Sequence, residues 1–207
     1  RPHGQPPRLL LVSSSYVYGT PDPKRLPIGT DSPIQPDTIY GKTKWEAETS
    51  VAGDAGNTRI DTIRVRAFNH IGPRQPEGYV VADWTRQIAA IERGDAPPVL
   101  CVGNLDSRRD YTDVRDVVRA YRLLIEHGRR GEVYNLGSGT SRSGREILGV
   151  LSRLSRVPWK FEIDPARTRP NEAYDIVADA TPLREATGWR PEIDFETTLR
   201  DTLDYWR

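Results

Sequence analysis

Tyr40 and Lys44 stand four residues apart in the segment Tyr40-Gly-Lys-Thr-Lys44, and a serine triplet, Ser13-Ser-Ser15, lies upstream of them. Residues four apart share one face of a helix, so a phenol and an ammonium at this spacing reach a common site. A free tyrosine titrates near ~10, too high for efficient proton exchange at neutral pH, and a neighbouring ammonium favours its phenolate. A serine hydroxyl at the C-terminal end of a parallel strand adds a donor for a substrate oxygen, because ligands of open α/β sheets collect at that end. The three side chains together suit proton transfer to or from an oxygen, with Ser14 or Ser15 as the hydroxyl.

Two other motifs do not survive inspection. Gly41-Lys42-Thr43 imitates the end of a phosphate-binding P-loop, but Pro36 stands where that loop needs its first Gly. Gly137-Ser-Gly139 with Gly144 has the wrong spacing for a dinucleotide fingerprint, and no strand ending in an acid follows about 20 residues on. A tight loop between a strand and a helix is the expectation there.

The elements that must position these residues alternate between strand and helix. Arg8–Val12 is short, apolar after its arginine and closed by serines, so it reads as a buried parallel strand. A turn-rich stretch with five prolines follows, from Pro21 to Pro36. Tyr40–Ser50 is rich in helix formers, and Ile60–Phe68 alternates and is β-branched like a strand. Val80, Val81, Trp84, Ile88 and Ile91 recur at helical spacing before Gly94, and Val99–Val102 is a short strand. Val114, Val117, Val118, Tyr121, Leu124 and Ile125 give the clearest amphipathic helix, followed by a strand at Glu132–Leu136. Ser143 and Glu146 form a capping box for a helix through Leu154. Thr181-Pro182 is read as a cap and first-turn proline for a helix stopping at Gly188, and a last helix runs over about Phe195–Trp206. The alternation predicts an α/β protein with parallel sheet.

Composition narrows the partners. Of 207 residues, 36% are hydrophobic and 29% charged, a globular balance, and the net charge of +1 argues against nucleic acid. The basic clusters Arg108-Arg109 and Arg167–Arg169 suit a small anion better than a polymer. The lone Cys101 excludes an intrachain disulfide and a cysteine metal site, which with the absence of any metal-ligand cluster points to a reducing, cytoplasmic setting and no metal. No apolar run approaches the roughly 20 residues that cross a bilayer, so no membrane partner is expected. The chain holds no Met and passes from a polar, Pro-rich Arg1–Pro7 straight into a buried strand. The expectation is a chain cut inside a larger fold.

Three stretches together resemble the extended short-chain dehydrogenase/reductase family: Ser13-Ser-Ser-Tyr-Val-Tyr-Gly19, Tyr40-Gly-Lys-Thr-Lys44 and Arg66-Ala-Phe-Asn-His-Ile-Gly-Pro73. Others are similar to its GDP-4-dehydro-6-deoxy-D-mannose reductases: the run from Val102 through Arg108-Arg109-Asp-Tyr-Thr-Asp113 to Val117, Asp164-Pro-Ala-Arg-Thr-Arg-Pro170, Gly188-Trp-Arg-Pro191 and Leu203-Asp-Tyr-Trp-Arg207. The likeness spans essentially the whole chain. It implies Ser14, Tyr40 and Lys44 as catalytic, with Tyr40 protonating a C4 oxygen as hydride arrives from NADP or NAD. Tyr40, Lys44 and His70 would lie beside that cofactor, and Ser15, Asn69, Arg109 and Arg169 beside a GDP-sugar. An arginine fork suits a diphosphate, since it donates in pairs and keeps its charge. The resemblance also implies a homodimer formed through helices that include the Tyr40 helix.

Two departures from the family pattern carry meaning. Related 4,6-dehydratases place an acid two positions after the catalytic Ser/Thr, where this chain has Tyr16; reduction is thereby favoured over elimination, although some reductases keep a Glu there. The family's opening βαβ units, with a glycine-rich pyrophosphate turn and on the order of 100 residues, have no counterpart here. The expected division is therefore residues 1–72 as the C-terminal part of a Rossmann-type parallel sheet bearing the catalytic residues. Residues 73–207 form a smaller α/β substrate-binding domain, with about 99–136 partly returning to the sheet. A nucleotide-sugar 4-epimerase using NAD, or a non-catalytic remnant binding a nucleotide sugar, are the competing readings.

Overall fold

A computed structural model describes residues 6–53, 60–167 and 174–207. In chain order the first elements are β1 (Arg8–Ser14), α1 (Ile39–Gly53), β2 (Asp61–Ala67), β3 (Asn69–Ile71), α2 (Val80–Glu92) and β4 (Val99–Val102). There follow β5 (Arg108–Asp113), α3 (Val114–His127), β6 (Val133–Leu136), β7 (Ser141–Ser143) and α4 (Gly144–Leu154). The chain then forms β8 (Lys160–Ile163), β9 (Asp175–Ile176), α5 (Thr181–Thr187) and α6 (Phe195–Trp206). This is an α/β fold with parallel strands, as the alternation in the sequence implies.

The first sheet runs in the order β1-β2-β6, all parallel, with Arg8 opposite Asp61 and Ser14 opposite Ala67. Successive side chains of a strand point to opposite faces, so β2 divides its residues cleanly. Ile63 and Val65 face α3, whose Val117, Ala120 and Leu124 pack on them at helical spacing together with Trp189 and Leu183. Arg64 and Arg66 take the other face, where α1 lies. Among the described side chains of α1 only Gly41 and Glu48 are buried, so this helix has no continuous apolar stripe.

A second core gathers Trp84 and Ile88 of α2, Leu100 of β4, Ile147 and Leu151 of α4, and Leu199 and Leu203 of α6. Between the two cores, β5 pairs with β3 and β9 in parallel and with β7 in antiparallel fashion. The cleft opens along this seam.

Three local readings need correction. β1 is not wholly buried, since Leu9 is 41% exposed at the sheet's margin. Thr181 does not cap α5; Ala180 holds that position, and the carboxylate of Asp179 instead accepts the Thr181 N–H at 2.9 Å. The Gly137–Gly139 loop leads first into β7 and only then into α4, because Arg108–Asp110 capture Ser141–Ser143 as a short strand.

Candidate active site

Ser14 closes β1 and caps the short 3-10 turn Ser15–Tyr18, its Oγ accepting the Tyr16 N–H at 3.3 Å. Ser13, Ser14 and Ser15 are all buried, and Ser13 Oγ has no partner among the described residues. α1 starts directly above this turn, where Thr38 Oγ1 accepts the Gly41 N–H at 3.0 Å. A Cβ at position 41 would lie 2.4 Å from the Tyr16 carbonyl oxygen. Only glycine lets the first turn of α1 rest on the serine segment, and that contact places Tyr40 on the same cavity wall as Ser14. The Gly in Tyr40-Gly41-Lys42 thus serves packing, not phosphate.

Lys44 donates from Nζ to the Val12 carbonyl at 3.1 Å, and the same nitrogen sits 5.7 Å from the centre of the Tyr40 ring. Tyr16 meets that ring edge-on, with centroids 5.6 Å apart and planes at 83°. Such edge-to-face and cation–ring contacts are each favourable by about 0.5–1.5 kcal/mol. The half-exposed phenol is therefore held between an aromatic edge and an ammonium, with its open side toward a cleft of about 1040 Å³.

The facing wall comes from other elements. Asn69 and His70 of β3 line the cleft, the His70 ring nitrogen Nδ1 lying 3.4 Å from the Phe68 carbonyl. Alternation along β5 separates its two arginines. Arg108 turns away, donating to Ser141 and to Glu146 at 2.7 Å, whereas Arg109 lines the cleft with Nη1 donating to the Arg108 carbonyl. Of the residues singled out from the sequence, Ser14, Ser15, Tyr40, Lys44, Asn69, His70 and Arg109 converge on this one cavity. Arg169 lies outside the described residues.

Two further cationic residues at the cleft were not among the site residues named from the sequence. Arg167 lines it because Gly103 passes close beneath: a Cβ there would come within 2.5 Å of the Arg167 carbonyl oxygen. The basic cluster at 167–169 was the available signal, and the resemblance placed its weight on Arg169, which lies outside the described residues. Arg74, whose backbone has a φ of 70°, also borders the cavity, and nothing in its sequence context marked it. Against Lys44, Arg74, Arg109 and Arg167 the described lining includes one carboxylate, Asp83, which accepts the Gly78 N–H at 2.8 Å. The surplus of positive charge suits an anionic ligand.

Asp110, between these arginines and the fold's interior, is fully buried. Burial pushes its carboxyl above the ordinary range, opposed by bonds from the Ser138 hydroxyl and from the N–H groups of Ala178, Gly139 and Ser138. Asp110 thereby anchors the Gly137-Ser-Gly139 loop, which is structural.

Comparison with known proteins gives a consistent picture. A family model described as GDP-mannose 4,6 dehydratase matches residues 2–202. The chain is 38% identical over 198 residues to the GDP-6-deoxy-D-mannose reductase of Pseudomonas aeruginosa, covering 95% of this chain and 65% of that enzyme. The structure of RMD from Pseudomonas aeruginosa complexed with NADPH superimposes with a TM-score of 0.91 at 35% identity, over 96% of this chain and 66% of that one. A UDP-glucose-4-epimerase from Stenotrophomonas maltophila, with bound NAD and formylated UDP-arabinopyranose, gives 0.82 at 27% identity, over 97% and 63%. The chain spans just under two-thirds of the length of each of these relatives.

Proposed function

The chain belongs to the GDP-mannose 4,6 dehydratase family, and from that premise we propose that its cleft reduces the 4-keto group of GDP-4-dehydro-6-deoxy-D-mannose to give GDP-D-rhamnose, with NADPH or NADH as reductant. The observation that carries the reading is the convergence of Ser14, Tyr40 and Lys44 on one cavity whose far wall bears Arg109 and Arg167. The likeness to a GDP-6-deoxy-D-mannose reductase supports the choice of sugar.

The residues present fit the nicotinamide end of a dinucleotide. The Ser13 hydroxyl, without a partner among the described residues, lines the same cleft as the Tyr40 phenol, the Lys44 ammonium and the His70 ring, a donor set suited to ribose and carboxamide oxygens. Tyr40, Lys44 and His70 would hold that end. The chemistry that end of the cofactor would supply, if held by these residues, is hydride for the sugar C4.

The chain's own groups handle the proton. Ser14 donates to the ketone oxygen and fixes its direction. Tyr40 delivers its phenolic proton to that oxygen as the carbon is reduced, giving the alcohol, and regains a proton from solvent. Lys44 places positive charge beside the phenol while the tyrosine is ionised. Arg109 and Arg167 receive the diphosphate, whose paired oxygens match a guanidinium fork. Elimination of water would need a base beside the sugar ring. Tyr16 occupies the position next to Tyr40 and has no carboxylate, which favours reduction.

The likeness to an NAD-containing epimerase keeps one second reading in view. The discriminating experiment supplies the whole protein with GDP-4-dehydro-6-deoxymannose and NADPH and follows absorbance of the reduced cofactor. One equivalent oxidised per sugar supports the reductase. Interconversion of two GDP-hexoses with no net oxidation would replace it with the epimerase.

A further inference from the structure

α1 carries Tyr40 and Lys44, and its Trp45 is only partly buried, packed against the cluster of Val17, Tyr18, Ile28 and Phe68. What it buries fully, besides Gly41, is a charge. Glu48 is fully enclosed and accepts from Arg66 at 3.0 Å on Oε1 and 2.9 Å on Oε2, and the Arg66 side chain is itself only 5% exposed. Glu48 lies four residues beyond Lys44 and eight beyond Tyr40, on the same stripe of the helix.

Arg66 does more than neutralise this carboxylate. Its guanidinium lies 5.9 Å from the Trp45 ring of α1 and 4.9 Å from the Tyr18 ring. It also donates to the Tyr18 hydroxyl at 2.8 Å and to the Thr30 carbonyl at 3.3 Å. The Tyr18 hydroxyl in turn donates to Asn135 Oδ1 of β6 at 2.7 Å, and Asn135 Nδ2 donates to the Ile28 carbonyl at 2.9 Å. Tyr18 ends the turn that starts at Ser14. One buried network therefore grips the helix bearing Tyr40 and Lys44, the segment bearing Ser14, and the strands beneath both.

A buried ion pair is a poor stabiliser, because the desolvation of two charges roughly cancels their attraction and apolar replacements often match it. Its directionality is what an apolar contact lacks. We propose that Glu48 and Arg66 are positioning residues that fix the roll of α1 and so set Tyr40 and Lys44 on the cavity wall with Ser14. The inference rests on the catalytic reading of Tyr40 and Lys44, but its geometric part can be tested without turnover.

Three variants separate positioning from stability: Glu48→Gln, Arg66→Lys, which keeps the charge and loses the fork, and the apolar pair Glu48→Leu with Arg66→Met. In the whole protein with cofactor bound, Glu48→Gln and Arg66→Lys are expected to lower kcat about 10- to 100-fold, with KM for the nucleotide sugar within about threefold. The apolar pair is expected to recover the melting temperature lost by Glu48→Gln while kcat stays low. A second readout is the ring-current shift that Tyr16 imposes on the Tyr40 ring, observed by NMR with labelled tyrosine and assigned with Tyr40→Phe. That shift should collapse in the apolar pair. If kcat and the Tyr40 shift both return as the melting temperature returns, the pair is merely structural and the proposal is wrong. If the wild type reduces no nucleotide-sugar ketone, the catalytic reading fails, and the ring shift still decides whether the pair orients the helix.

Discussion

α1 and α3 lie on opposite faces of the same three-stranded sheet and are fastened to it by opposite means. α3 presses Val117, Ala120 and Leu124 onto Ile63 and Val65, a non-directional contact that tolerates small rotations. α1 packs Trp45 partly against Val17, Tyr18 and Phe68, but it meets the strands through the Glu48–Arg66 pair and the Lys44 bond to Val12, which depend on angle and distance. The helix that holds the fold grips the sheet mainly by apolar side chains, and the helix that holds the candidate site mainly by polar ones. Division of labour of this kind predicts that damage to the two helices will read out differently.

The largest separation is expected for Tyr40→Phe. On the general-acid assignment it lowers turnover about 10³-fold, while the melting temperature and sugar affinity change little. A comparable loss of stability in that variant would erase the contrast. Next in size is Leu124→Ala on α3, which removes a fully buried side chain and should destabilise by about 3 kcal/mol. Assayed well below its melting point, that variant should retain most of its turnover; a kcat falling with stability would show that both helices serve the site.

Arg109→Ala tests the wall facing α1. Loss of a charged donor to phosphate corresponds to about 2 kcal/mol, or roughly 30-fold in KM, with kcat nearly kept. An unchanged KM would move the diphosphate to other residues. The smallest effect expected is that of Glu146→Ala at the capping box of α4, about 1 kcal/mol at neutral pH. The Ser143 N–H at 2.7 Å, with its hydroxyl and Arg108, holds the Glu146 carboxyl below the ordinary carboxylate range. A depressed folded value contributes stability above the unfolded value and loses it as pH falls through the folded one. The difference between wild type and Glu146→Ala in melting temperature should therefore shrink progressively below about pH 4.3. A difference that stayed constant down to strong acid would mean the cap does not act through the ionised carboxyl.

The same contrast explains what was legible in the sequence. α3 and α2 announce themselves through apolar periodicity, and β2 through its alternation of branched residues. Ser14, Tyr40, Lys44 and Arg109 were readable because their spacing or motif carries chemistry. β5 was not, since Arg108-Arg-Asp-Tyr-Thr-Asp113 is a charged run whose Asp110 and Asp113 are buried through hydrogen bonds and not through apolarity. β3, β7 and β9 are two or three residues long and exist only by pairing with β5. Nothing in the helix-forming segment Tyr40–Ser50 sets Glu48 apart from its polar neighbours. The hint lay in the strand: an arginine at position 66, amid Ile63, Val65 and Ala67, needs a buried partner. Arg167 was visible only as one of a basic cluster; its place at the cleft depends on the close pass of Gly103, which no one-dimensional pattern encodes.

The central claim concerns the fate of one hydrogen. The whole protein should be given GDP-4-dehydro-6-deoxymannose with NADPH deuterated at the transferable C4 position, and the product sugar examined by mass and NMR. One deuterium at the sugar C4 for each cofactor oxidised is expected. A product formed with no deuterium, its hydrogen coming from the sugar itself, would contradict the assignment of this cleft as a reductase site.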